Sequence, residues 1–295
     1  MRLKIDAPIP FFIVHWNRPR ECIQTVECSL KQDLPLSISI VDNASESENY
    51  RALVEHLPSE IEIIRLEENK GWGGGLNVLL QRWLEVKSNG QDYCFISAHD
   101  ALPQNNCLNM LLESIQADSK IGIACPEYGS ARDFPRYSLV RGPRLLPSPP
   151  RRAGNVESVD FAHATLFVVS KDCLKDIGVF DERYFAYGDE YDLALKARRL
   201  GWKVAVVWGA IVVNPISETS RPALNYLFAR NTLLLARTYG GWGHAILRLL
   251  LMFLNTLRLS LRPSINRNDF HPAAKLLGIR DFLLSRYGPP PINLK

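Results

Sequence analysis

The chain has 295 residues, 46% hydrophobic and 22% charged, enough for two domains or for one large α/β domain with an appendage, and too apolar to be disordered. Its 18 glycines and 19 prolines are too few for a collagenous or low-complexity protein. The net charge of +4 is unevenly shared: residues 221–295 hold nine Arg, two Lys, two Asp and no Glu, which is +9 and leaves −5 for residues 1–220. A basic tail on an acidic body suits a negative surface (nucleic acid, anionic lipid or phosphate) or is simply a solvated helical face.

The N-terminus starts basic, but its apolar run spans only about five residues, which predicts a strand and not a signal peptide. Up to residue 125, β-rich runs at 10–14, 37–41, 61–66, 93–96 and 121–125 alternate with helical stretches near 19–32, 46–56, 76–87 and 105–117. Strand, helix, strand at this spacing predicts right-handed βαβ units in a mostly parallel sheet, with ligands at the carboxyl ends of the strands. The polar residues that follow each strand are therefore the ones of interest: 15–18, 42–45, 69–75 and 97–100. Residues 131–154 break the pattern with six arginines (132, 136, 141, 144, 151, 152) and five prolines, which predicts a long cationic loop. A strand at 159–169, a short helix from Lys171, an amphipathic helix near 189–199 and a strand at 204–208 follow. The helix near 189–199 has Asp189, Glu190 and Asp192 in its first turn, where the helix dipole favours negative charge.

The last quarter reads as helical. In 245–262, Arg248, Asn255, Arg258 and Arg262 fall in one narrow stripe and nearly everything else is apolar, which suits an interfacial membrane helix, a helix buried on its own domain, or a dimer contact. No run of about 18 apolar residues predicts a transmembrane helix. The six cysteines form no CxxC pair, and several lie in apolar runs, so buried, reduced thiols of a cytosolic protein are expected.

Several loops could carry chemistry. Gly71 to Gly75 fails as a dinucleotide fingerprint, because Leu76 stands where the last glycine is needed, and it lacks the Lys-Ser/Thr of a P-loop. It reads as a flexible loop between Asn69 and Asn77 that lets backbone approach a ligand. Asp42 and Asn43, just after a strand, could take hydrogen bonds from a base or ribose, or serve as turn residues. Asp100 beside His99 could take part in a divalent-cation site, although two ligands do not complete one. Helix capping explains one or two of the carboxylates at Asp189, Glu190 and Asp192.

In order along the chain, His15-Trp-Asn17-Arg18-Pro19, Val41-Asp42-Asn43-Ala44-Ser45, Asn69 through Gly71 and Gly75 to Asn77, Asp100-Ala-Leu-Pro103, and Gly178 to Asp192 resemble the inverting family-2 glycosyltransferases, particularly their rhamnosyltransferase-like branch. The resemblance spans about residues 9–240, including the stretch from Tyr226 to Gly240. It implies an α/β GT-A fold: a Rossmann-like, mostly parallel central sheet flanked by helices at 1–240, with a basic amphipathic helical extension at 241–295. It further implies that Asp42 contacts the nucleotide base and that Asn17, Arg18, Asn43, Asn69, Gly71, Gly75, Asn77, Asp100 and Asp160 line the nucleotide-sugar pocket. Glu190, in the pair Asp189-Glu190, would be the general base. Asp100 matches the last position of the family's Asp-x-Asp motif, with His99 beside it as a second ligand for Mg²⁺ or Mn²⁺. The chain departs from the pattern at Ala98, the first motif position, at Asn214, where a His is usual, and at Ala164, where a Gly is usual.

The implied reaction is one in-line displacement that moves a sugar from a nucleotide-sugar donor, such as dTDP-L-rhamnose, to a cell-surface glycan or lipid-linked acceptor. Where the metal is missing, arginines of the 132–152 segment or Arg221 could supply the positive charge. The same resemblance implies a cytoplasmic protein, held peripherally on the cytoplasmic face of the inner membrane by its C-terminal helices, or paired there as a homodimer. Nucleic acid explains the basic tail but none of the acidic motifs and is not expected as a partner. The departures at Ala98 and Asn214 leave a second reading: a non-catalytic GT-A protein that binds a nucleotide-sugar or glycan, or supports a partner transferase.

Overall fold

Alternation along the first strand sets the architecture. In β1 (Ile9–His15), Ile9, Phe11 and Ile13 face one core, while Phe12 and Val14 face the other. A strand buried on both faces needs helices above and below it. The computed structural model describes residues 7–86, 92–129, 133–147, 151–214, 219–262, 268–291 and 294.

In chain order the elements are β1, α1 (Pro19–Leu30), β2 (Leu36–Asp42), α2 (Ser47–His56), β3 (Glu62–Arg65), α3 (Gly71–Glu85), β4 (Tyr93–Ala98), β5 (Leu102–Pro103), α4 (Cys107–Ala117) and β6 (Ile121–Tyr128). Then come β7 (Asp133–Ser138), β8 (Gly142–Pro147), β9 (Val156–Ser158), β10 (Leu166–Ser170), α5 (Lys171–Ile177), α6 (Asp189–Arg199), β11 (Lys203–Val213), α7 (Arg221–Ser260) and α8 (Pro272–Leu283). The main sheet has the order β3-β2-β1-β4-β10-β6-β11-β5, with β9 also pairing β11. Strands β1, β2, β3, β4, β6 and β11 run one way, and β10 runs antiparallel between β4 and β6. One apolar core collects α1, α2 and α4 on one face; the other collects α3, α5, α6 and α7 on the opposite face.

The predicted mixed α/β sheet with a helical C-terminal region is present, and four elements differ from the sequence reading. Residues Asp133–Ser138 and Gly142–Pro147 form an antiparallel hairpin where a cationic loop was expected; Arg132 lies outside the described residues. In a two-stranded ribbon each strand has a free edge, so prolines 135, 143 and 147 forfeit no interior ladder bond. Of the expected strand at 159–169 only the end is extended, as β10 (Leu166–Ser170); residues 159–165 are irregular, and the short β9 lies just before them. The run Gly71 to Gly75 is the first turn of α3, not a loop. The final strand is longer than expected and reaches Val213.

The glycines of α3 are dictated by tertiary approach. Gly71 has φ +78°, and a Cβ there would strike the backbone of Phe185. A Cβ on Gly73 would sit 2.7 Å from the Phe180 side chain and 3.1 Å from Asp189 Oδ2. Helix α7 is broken at Gly241 (φ 72°, ψ −174°). Beyond the break α8 packs back on its first half: a Cβ on Gly278 would meet the Tyr226 carbonyl, and Asp281 Oδ2 accepts from Tyr226 Oη at 2.9 Å. All six cysteines are free thiols and five are buried, as expected.

Candidate active site

Parallel register brings the polar ends of β1, β2 and β4 to one edge of the sheet. His15 is paired with Asp42 across β1 and β2, and Nδ1 of His15 lies 2.8 Å from Oδ1 of Asp42, both side chains fully buried. Oδ2 of Asp42 accepts from the Ser45 amide at 3.3 Å and lies 3.6 Å from Nε of Arg65. Burial alone would raise the Asp42 carboxyl, but the hydrogen bonds from His15 and Ser45 hold it below the usual carboxylate range. Asn17, at φ +55°, is tied to the same corner: its amide donates to Ser45 Oγ at 2.8 Å and its Oδ1 accepts from the Glu46 amide at 2.7 Å.

Asn43 fixes the approach to α3. Its Nδ2 donates to Asn69 Oδ1 (3.0 Å) and to the Gly71 carbonyl (2.8 Å), and its Oδ1 accepts from the Lys70 amide (2.9 Å). Asn69 Oδ1 also accepts from the Gly71 amide at 2.8 Å, and a Cβ on Gly75 would lie 2.8 Å from Val14. Asn77 exchanges hydrogen bonds with both backbone groups of Phe180 at 3.0 Å and donates to Glu182 Oε1 at 3.0 Å. Asn77 thus fastens α3 to the segment that leads into α6.

That segment presents the acidic pair. The chain before α6 is strained, with φ of +65° at Phe185, +61° at Tyr187 and +145° at Gly188. Asp189 is 2% exposed and its Oδ2 accepts from the Gly73 amide at 3.1 Å, while Glu190 Oε2 accepts from the Gly188 amide at 2.8 Å. Burial lifts the Glu190 carboxyl well above the ordinary range, and the adjoining Asp189 charge lifts it further. Burial lifts Asp189 as well, against the hydrogen bonds it receives from Glu190 and Gly73. A carboxyl raised in this way suits proton transfer near neutral pH.

Two residues to which the sequence reading gave no role hold the strained turn. Nδ2 of Asn231 donates to the carbonyls of Tyr184, Ala186 and Tyr187 at 2.9, 2.7 and 2.9 Å. The fully buried Arg230 reaches the carbonyls of Tyr184 (3.0 Å) and Gly288 (2.7 Å). The polar stretch Arg230-Asn231-Thr232 inside the otherwise apolar run 227–236 was the signal for them. Asp192, the third acidic residue of α6, is taken up internally by Tyr239 Oη at 2.7 Å and Lys196 Nζ at 2.8 Å.

Asp100 follows β4. Its Oδ2 lies 3.4 Å from Nη1 of Arg18, and its Oδ1 accepts from Asn214 Nδ2 at 3.0 Å. His99 turns Nδ1 back to the Val14 carbonyl at 3.2 Å, and burial lowers its pKa. Both Asp100 oxygens thus have donors, Ala98 offers no ligand, and among the described residues no group of three His, Cys, Asp or Glu could hold a metal ion. These residues do not form a protein-built site for Mg²⁺ or Mn²⁺. Asp160 stands apart from the sheet edge: its Oδ2 accepts from the Tyr137 amide at 2.9 Å and its Oδ1 lies 3.0 Å from Arg198, which locks the β7–β8 hairpin to α6. Arg221 pairs with Asp269 at 3.2 Å and Arg151 with Glu157 at 2.8 Å.

A mostly parallel sheet with one reversed inner strand, polar residues at its carboxyl edge and an acidic pair opening a helix define a glycosyltransferase of the GT-A type. The description "Glycosyl transferase family 2" matches residues 11–178, more than half of the chain. The chain belongs to glycosyltransferase family 2. It is 26% identical over 273 residues (81% of this chain, 88% of the relative) to an N-acetylglucosaminyl-diphospho-decaprenol L-rhamnosyltransferase of Mycobacterium tuberculosis. It is 25% identical over 189 residues (61% of this chain, 60% of the relative) to the low-salt glycan biosynthesis hexosyltransferase Agl10 of Haloferax volcanii. Among solved structures, the mannosyltransferase PcManGT of Pyrobaculum calidifontis, in complex with GDP-Man and Mn²⁺, superposes with a TM-score of 0.59 at 15% identity, covering 94% of this chain and 87% of that one. GalNAc-T7 with UDP, GalNAc and Mn²⁺ gives 0.61 at 14% identity, covering 96% of this chain and 59% of that one.

Proposed function

We propose that this glycosyltransferase moves L-rhamnose or a related hexose from a nucleoside-diphosphate donor, dTDP-rhamnose first among them, to a lipid-linked acceptor, with inversion at the anomeric carbon. The observation that carries the mechanism is the Asp189–Glu190 pair at the start of α6, with both carboxyls raised in pKa. Asp189 is buried and accepts from the Gly73 amide of α3, while Glu190 is half-buried and accepts from the Gly188 amide. The rhamnosyl donor and the diphospho-polyprenol acceptor are supported by the name of the mycobacterial relative.

In one displacement, Glu190 takes the proton of the acceptor hydroxyl as that oxygen forms its bond to the anomeric carbon. The carbon–oxygen bond to the diphosphate breaks on the opposite face, and the nucleoside diphosphate leaves with the electron pair. Asp189 keeps the second negative charge beside Glu190 and so raises its basicity. Asp42, closed in by His15, Ser45 and Arg65, shapes the base end of the donor site, and Asn17, Asn43, Asn69, Gly71, Gly75 and Asn77 position its walls. Arg18, steadied by Asp100, is the cation that meets the departing diphosphate. No step runs through Mg²⁺ or Mn²⁺, since Asp100, His99 and the other ligands among the described residues do not form a site for either.

A lipid-linked acceptor puts the enzyme at a membrane surface, on the side where nucleotide-sugars are made. The test is calorimetry of dTDP, UDP and GDP with and without EDTA, followed by turnover of dTDP-rhamnose with a polyprenyl-diphosphate acceptor. Tight binding of dTDP that survives EDTA, with an inverted product, supports the reading. Binding that needs Mn²⁺ overturns the role of Arg18. Binding without turnover favours a non-catalytic nucleotide-sugar binder.

A further inference from the structure

Beyond Gly241 helix α7 carries a second apolar face, turned to the outside. In its first half the apolar residues face the core, with Leu227, Leu233 and Leu235 at 2% exposure or less. After the break Ala245, Arg248 and Thr256 are buried and Leu249 and Met252 pack against the core. Beside the exposed Asn255 the outward positions are leucines, with Leu250 51%, Leu254 58%, Leu257 51% and Leu261 76% exposed. Arg248 points into the protein and donates to the Val140 carbonyl in the hairpin turn at 2.8 Å. Soluble proteins rarely expose a contiguous apolar strip of this length.

We propose that this outer face docks the enzyme on an anionic lipid surface, lying flat with its leucines among the acyl chains. Twenty residues of helix span about 30 Å, enough for several turns in the interface. No described helix is long and apolar enough to cross a membrane, so the segment rests on the bilayer. Charge chooses the occupant. Exposed Arg258 and Arg262 border the leucine strip, and residues 242–262 contain no Asp or Glu. A second copy meeting this face would set arginine near arginine with no carboxylate between them, whereas anionic headgroups complement both. The inference rests on the lipid-linked reading above for its purpose, but not for its test.

The experiment is co-sedimentation of the full chain with vesicles of phosphatidylcholine alone and of phosphatidylcholine with an equal part of phosphatidylglycerol. The same samples go to analytical ultracentrifugation and to calorimetry with dTDP. Two arginines predict a preference of about thirtyfold for the anionic vesicles. Arg258→Glu with Arg262→Glu removes that preference, and Leu250→Ser with Leu254→Ser removes binding to both vesicles. All four positions are exposed, so unchanged melting curves and dTDP binding report an intact fold. A parent chain that ignores vesicles, or leucine variants that still bind them, overturns the proposal. A parent dimer that the leucine variants dissolve shows instead that the face meets a second copy. Loss of dTDP binding in the parent would count against the transferase reading alone.

Discussion

Glu190 makes two opposite demands on the protein. As a base it must be deprotonated, yet burial and Asp189 favour its neutral form. The folded chain therefore holds this proton more tightly than the unfolded chain does. From the ordinary glutamate value of about 4.3 up to the raised folded value, stability falls as pH rises, and above both the full cost remains. Glu190→Gln removes that cost, so the variant should melt above the parent at pH 8 and level with it below about pH 4. Transfer should fall by about 10²–10⁴-fold, with dTDP affinity nearly unchanged. Higher melting of the parent at pH 8, or retained turnover, would assign the proton to another group. The acid limb of the parent's rate profile should likewise lie above the ordinary glutamate value.

The elements around that carboxyl are held by single side chains. Asn231→Ala removes the donor to the carbonyls of Ala186 and Tyr187, while Tyr184 keeps Arg230 and the Ala186 amide, a loss of about 1–3 kcal/mol for a buried group. Because the strained turn aims α6, kcat should drop more than the donor KM rises; an unchanged kcat beside a lowered melting point would make Asn231 a purely structural tie. Gly71→Ala should cost at least about 1–2 kcal/mol from its positive φ alone, measured by urea unfolding, with the Phe185 backbone adding more.

These ties also mark where the sequence is legible. Strand ends announce themselves because an apolar β run stops at a polar residue, so Asp42, Asp100 and the acidic opening of α6 are found by position. The donors of Asn231 reach residues 44 to 47 positions away, and no local pattern encodes them. The glycines of α3 look like a loop because the reason for them, the approach of Phe180 and Phe185, comes from more than 100 residues later. Hairpin β7–β8 hid behind its prolines, which an edge ribbon tolerates and an interior strand would not.

At the scale of the whole molecule, the charge division at residue 220 is legible, but it does not mark a separable tail. Residues 241–295 include α8, whose Phe282 is 1% exposed and stacks near Trp242 at 6.0 Å, while Asp281 bonds Tyr226 on the first half of α7. Tyr226 in turn lies 3.4 Å from Nη1 of Arg230, which also takes the Gly288 carbonyl at 2.7 Å. Cutting the chain after Gly240 would thus expose the back of α7 and strip buried Arg230 of partners beside the turn that carries Glu190. Removing a buried Phe alone costs about 3–5 kcal/mol, and each 1 kcal/mol shifts the melting point of a chain this size by about 2–4 °C. The truncated protein should therefore melt some 10 °C or more below the parent and bind dTDP poorly, whereas Leu250→Ser with Leu254→Ser should leave both properties intact. Differential scanning calorimetry of the two side by side decides it. A truncated chain that melts with the parent and keeps its dTDP affinity would show that the transferase folds without its extension, and that Arg230 draws enough support from the Tyr184 turn alone.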